Sequence, residues 1–118
     1  MLPSGFKFSG VACGIKQSGK KDLALITSDV PAVAAGVYTQ NVVHAASIDW
    51  NRKVTPTDHL AAIVVNSGNA NACTGEEGFR NNQQMAFQAS NMLGCRPGEV
   101  CVLSVSYTHL TLPTNREV

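Results

Sequence analysis

Four short apolar segments bounded by turn formers, one long helix with marked ends and a globular composition predict an α/β fold, either α+β or layered α/β. The chain has 118 residues, enough for one small domain with a single modest core. Hydrophobic residues make up 44% and charged residues only 14%, which excludes a disordered tail. So few charges also fit a surface that further chain or a partner covers.

The first strand reads as Phe6 to Val11, where apolar and polar residues alternate as in a half-buried strand. Asp22 to Thr27 carries Leu23, Ala24, Leu25 and Ile26 and reads as the second. Ala61 to Val65 is a continuous apolar run that stops at Asn66-Ser67-Gly68, and Val100 to Leu103 is a similar run after Arg96-Pro97-Gly98. Two further strands are expected at Gly36 to Thr39 and Ala45 to Trp50.

The helix is the best-marked element. Thr74 and Glu77 stand at the spacing of a capping box, in which each side chain satisfies a free backbone N–H. Met85, Ala86, Ala89, Met92 and Leu93 then recur at helical steps as one apolar stripe, and the two methionines read as core fillers. Gly94 follows as a left-handed C-cap with Pro97 beyond it. Asn82 falls inside the stripe, so it is expected to be hydrogen-bonded or near an edge.

Several function classes fall away. The formal charge is +1 and no Lys or Arg run exceeds two, so no basic face for nucleic acid or an acidic membrane is visible. No apolar stretch approaches the ~18 residues of a membrane helix, and no leader is visible ahead of Phe6. Cys13, Cys73, Cys95 and Cys101 lack metal or disulfide spacing, and His44 and His59 add no ligand pattern, so no metal is expected. Small buried thiols in a reducing cytoplasm fit best.

Two motifs need weighing. Gly14-Ile15-Lys16-Gln17-Ser18-Gly19-Lys20 matches most of a phosphate-binding loop, but Lys21 occupies the Ser/Thr position and a strand follows. A phosphate loop needs a helix there, because its N-terminal amides hold the anion, so a hairpin turn is the better reading. The segment Asn66-Ser67-Gly68-Asn69-Ala70-Asn71-Ala72-Cys73-Thr74-Gly75 leaves a buried strand and ends at a helix start. Its amides could brace a loop at a strand's C-terminal end, where α/β proteins place ligands, or it is a plain turn. The residues alone leave both readings open. Cys73 has no identifiable base beside it and is not read as a nucleophile.

This segment, with Val64-Val65 before it, resembles the signature of the bifunctional glutamate N-acetyltransferase/ornithine acetyltransferase family. Pro3, Gly5-Phe6 and Gly10-Val11 resemble the family's opening, and Gly14-Ile15-Lys16 with Asp22-Leu23-Ala24-Leu25 its first two strands. Ser28-Asp29, Pro31-Ala32, Ala34-Ala35-Gly36-Val37, Thr39 and Asn41 follow in family order. The resemblance implies a partial layered sandwich akin to N-terminal-nucleophile hydrolases, though of different topology. It also implies a precursor that cuts itself before a downstream Thr into two associated chains, oligomeric when complete. That Thr would carry acetyl from N-acetylornithine to glutamate as an acyl-enzyme, with acetyl-CoA a donor in some members and no cofactor. Asn66, Ser67, Gly68, Asn69 and Asn71 would then adjoin the active site without being catalytic. A related self-processing hydrolase and a non-catalytic metabolite-binding domain are the alternatives.

The resemblance breaks after Val102-Leu103-Ser104. The family continues with a Thr-Gly pair that serves the oxyanion hole, whereas this chain has Val105-Ser106. The run from Val105 to Asn115 looks like a translated sequencing adapter, and Leu112-Pro113 agrees with the family only in isolation. Residues 1–104 are therefore expected to be the N-terminal part of the precursor and 105–118 a non-native or disordered tail, in which His109 has no role.

Overall fold

The computed structural model describes residues 3–12, 22–66 and 75–104. Four strands and two helices run in the order β1 (Phe6–Val11), β2 (Leu23–Ala34), α1 (Ala46–Val54), β3 (Thr57–Asn66), α2 (Gly75–Leu93) and β4 (Val100–Ser104). The strands form one sheet in the order β1-β2-β3-β4. The first two pairings are antiparallel, and β3 pairs with β4 in parallel. A parallel neighbour requires a crossover, and α2 supplies it.

The four strongest strand segments are where the sequence places them, with β2 and β3 longer than expected. β1 and β2, which flank the phosphate-loop-like segment, pair antiparallel from Val11↔Leu23 to Phe6↔Ser28. That segment itself lies outside the described residues.

Two expectations are corrected. Ala45 to Trp50 opens a helix, not a strand. Ser47, Trp50, Asn51 and Val54 are its buried residues, a helical period that becomes visible only when the window extends past Trp50. Asp49 in its first turn and Arg52 and Lys53 in its last also suit the helix dipole. Gly36 to Thr39 joins no ladder. There Tyr38 turns back to α1, its hydroxyl 2.6 Å from Thr55 Oγ1, and a Cβ on Gly36 would collide with the Tyr38 ring.

The apolar layer between helices and sheet contains Trp50, Val54, Ala62, Val64, Ala86, Ala89, Val100 and Val102. Helix α2 ends as expected: Gly94 has φ +71°, and the Cys95 N–H donates to Ser90 O at 3.0 Å in a Schellman arrangement. Its expected N-cap, Thr74, lies outside the described residues. The α2 stripe is rotated from the expected one, with Gly78, Asn82, Ala86, Ala89 and Ser90 buried. Met92, read as a core filler, is 82% exposed. Alternation along β3 sends Leu60, Ala62, Val64 and Asn66 to the helix side. On the other face, Phe6, Phe8 and Leu103 are exposed, and Ile26, Ile63 and Val65 half-buried. The sheet is thus apolar on both faces, which explains the unbroken run in β3.

Candidate functional site

The pairing registers place Val11, Leu23, Asn66 and Ser104 in one row across the sheet. Because β3 and β4 are parallel neighbours, their C-terminal ends leave the sheet side by side at Asn66 and Ser104. In α/β proteins ligands gather at this kind of edge, outside the carboxyl ends of the strands.

Of the five expected loop residues, Asn66 is described; Ser67, Gly68, Asn69 and Asn71 lie outside the described residues. Asn66 ends β3, is buried, and its Oδ1 meets no hydrogen-bond donor among the described residues. Asn82 on α2 is 1% exposed, and neither its Oδ1 nor its Nδ2 has a partner there. Asn82 was expected to be bonded or near an edge; it is enclosed, and its amide has no partner among the described residues. Burying an amide atom without a partner costs about 1–3 kcal/mol, a cost that nothing among the described residues offsets for Asn66 Oδ1 or for either amide atom of Asn82.

Buried Asp22 directly precedes Leu23 in this row, its N–H donating to Val11 O at 3.0 Å, whereas the described histidines lie elsewhere. His59 stands near the start of β3, at the opposite end from Asn66, and its Nδ1 contacts exposed Asp58. His44 precedes α1, with Nδ1 2.8 Å from Asn41 O and Nε2 2.8 Å from Asp49 Oδ1. The bond to Asp49, then the one to the Asn41 carbonyl, raises its pKa above the ordinary value. Both ring nitrogens face acceptors, an arrangement that only the imidazolium satisfies. Cys101 is buried and its thiol pushed up by that burial; Cys95 is raised by burial and then by Glu99. Neither is poised to be a thiolate. Cys13 and Cys73 lie outside the described residues. Among the described residues no group of three or more His, Cys, Asp or Glu could hold a metal. No helix among them is long and apolar enough to cross a membrane.

A second polar cluster escaped the sequence reading. Trp50 Nε1 donates to Val100 O at 2.8 Å, Asn51 Nδ2 donates to Val102 O at 2.8 Å, and Val102 N–H donates to Asn51 Oδ1 at 3.0 Å. These bonds tie α1 to β4 just before Ser104. The only sequence signal was a polar residue at helical intervals from Ser47 and Val54.

Comparison with known proteins extends this geometry. A family model described as the ArgJ family matches residues 7–116. The arginine biosynthesis bifunctional protein ArgJ of Rhodopirellula baltica is 45% identical over 116 residues, 98% of this chain and 28% of the relative. Its counterpart in Symbiobacterium thermophilum is 48% identical, over 97% of this chain and 29% of the relative. The chain therefore spans under a third of the length of these curated relatives. Among solved structures, the ornithine acetyltransferase of Mycobacterium tuberculosis in complex with ornithine matches with a TM-score of 0.83 and 43% identity. That match covers 88% of this chain and 56% of the crystallised one. The Bacillus halodurans arginine biosynthesis bifunctional protein matches with a TM-score of 0.79 and 36% identity, over 87% and 53%. The layered α/β fold, akin to N-terminal-nucleophile hydrolases, is shared with these structures.

Proposed function

The chain belongs to the ArgJ family, and on that premise we propose that it is the N-terminal part of an acetyltransferase moving acetyl from N-acetylornithine to glutamate in arginine biosynthesis. The observation that carries this reading is the 45% identity over 98% of the chain with a bifunctional arginine-biosynthesis protein. The relative crystallised with ornithine supports an ornithine-type substrate.

In this reading the nucleophile is a Thr downstream of the present residues. Its hydroxyl attacks the acetyl carbonyl, releases ornithine, and passes the acetyl group to the glutamate amine, so one acyl transfer becomes two. The same stretch fills 53–56% of the crystallised chains but 28–29% of the full-length relatives. Crystallised chains about half the relatives' length support a precursor cut into two chains, which we propose stay together. Acetyl-CoA is a further donor to test, and the complete protein is proposed to be oligomeric.

The sheet edge supplies position rather than chemistry. Asn66 and Ser104 end neighbouring parallel strands side by side. This supports assigning the Asn66–Asn71 loop and the family's Thr-Gly pair to one site. Asn66, Ser67, Gly68, Asn69 and Asn71 offer hydrogen bonds but nothing that titrates near neutrality, so they brace and orient. The Val105-Ser106 pair stands where the oxyanion donors belong. We therefore assign residues 105–118 to a tail outside the native fold, although the family match runs on to residue 116. Truncation after Ser104 decides this: a change within roughly 0.5 kcal/mol fits a tail, and a larger loss makes it native structure.

The test of function is a chimaera in which residues 3–104 replace the matched stretch of the Rhodopirellula baltica relative. N-acetylornithine and glutamate should yield N-acetylglutamate and ornithine. Release of acetate without N-acetylglutamate would instead favour a hydrolase. A folded chimaera that does neither would leave a metabolite-binding domain.

A further inference from the structure

We propose that the segment from Val30 to Val43 is a preformed interface for the part of the family polypeptide that lies outside this chain. The proposal rests on the family membership and on the precursor reading above, not on which acyl acceptor is used. No charged residue occurs between Val30 and Val43. Val30, Val33, Val37, Val42 and Val43 are nevertheless 67% to 101% exposed. Single exposed valines are ordinary; five in one uncharged stretch form the kind of apolar surface that marks an interaction site. Charge depletion is also what distinguishes the centre of an interface from the remaining surface.

The segment is held in place by its polar residues while its valines face outward. Tyr38 donates to Asn51 O at 3.3 Å and lies 2.6 Å from Thr55 Oγ1, and Arg52 donates to Thr39 O. His44 then closes the far end through Asn41 O and Asp49. All these anchors lie on or beside α1, so the apolar side chains sit on a fixed support. At the near end, β1 pairs with β2 only as far as Ser28, whereas β3 continues to Ala34. The Val30–Ala34 half of β2 therefore has no ladder partner on its β1 side among the described residues.

The occupant follows from length and chemistry. The curated relatives extend more than three times as far as the stretch this chain matches. We take that remaining polypeptide as the occupant, since an uncharged valine surface calls for an apolar, uncharged face. Strand addition by a second copy is disfavoured because Pro31 lacks a backbone N–H on that stretch of β2.

Carbene footprinting reads side-chain exposure directly and does not depend on activity. Labelling of residues 30–43 should fall at least fivefold from the 118-residue chain to the chimaera, and likewise to the aligned residues of the unaltered Rhodopirellula baltica relative. Equal labelling would overturn the proposal, and so would protection in the 118-residue chain that grows with its concentration, which identifies a second copy. Val37→Asp with Val42→Asp should lower the melting temperature of the chimaera and leave that of the 118-residue chain unchanged. An equal fall in both would make these valines part of the unit's own core and end the proposal. A protected chimaera that fails to transfer acetyl would overturn the functional reading alone.

Discussion

The side-chain amide of Asn51 pairs with both main-chain polar groups of Val102, donating to its carbonyl and accepting from its N–H. A neighbouring strand would make the same two bonds. One helix residue thus stands in for a strand at the outer edge of β4, and the Trp50 indole does the same for Val100 O. Sheet growth past β4 is blocked over these residues, and the chain is fixed just before Ser104, at the edge assigned to the active site.

Removing that amide should be costly. Asn51→Ala leaves two buried main-chain groups unpaired, at about 1–3 kcal/mol each, so a loss of roughly 2–6 kcal/mol is expected. Asn51→Asp should also destabilise, because a carboxylate cannot donate to Val102 O. Exposed Asn91→Ala serves as the control and should change little. Urea midpoints measure all three, and a near-neutral Asn51→Ala would show that the edge is not held this way.

Asn82 should respond in the opposite direction. Its enclosed amide has no partner among the described residues, so Asn82→Leu replaces an uncompensated polar group with an apolar one of similar size. We expect the urea midpoint of this chain to rise, corresponding to a gain of up to about 1–3 kcal/mol in stability. A fall would mean that Asn82 has hydrogen bonds in solution and is part of the fold's polar framework.

The contrast between these two asparagines shows how much of the fold was legible. Local signals were clear where they are local in origin: Gly94 ends α2 because its backbone must be left-handed, and the β3 run is apolar because both sheet faces are. Asn51 and Asn82 look alike in sequence, each a polar residue in a helical stripe. One meets a strand edge 51 residues away, and the other meets nothing described. Tertiary pairing decides that, and no window of sequence contains it. Met92 failed for a related reason, since the apolar groove it borders, with Val11, Leu23 and Met85, is left open by α2. At the candidate site, Asn66 was identified from its strand end, whereas the row that joins it to Ser104 required the register.

His44 gives the fold a pH dependence of known sign. Its pKa is raised above the ordinary 6.5 by Asp49 and the Asn41 carbonyl, against a smaller lowering from burial and Arg52. The stabilisation is complete below the unfolded value near 6.5 and is lost as pH rises through the higher folded value. Thermal midpoints should therefore decline as the pH rises through that window, and Asp49→Asn should flatten the decline. An unchanged slope in Asp49→Asn would remove the pair as its source.

The most direct measurement is acetyl transfer by the purified 118-residue chain itself, given N-acetylornithine and glutamate. The described residues hold no activated nucleophile, and in the proposed reading Val105-Ser106 replaces the oxyanion pair, whose loss even in part costs about 10²–10³ in rate. The expected result is no N-acetylglutamate above a protein-free control, with the chimaera active under the same conditions. Turnover by the isolated chain would contradict this, since it would place the nucleophile within these residues.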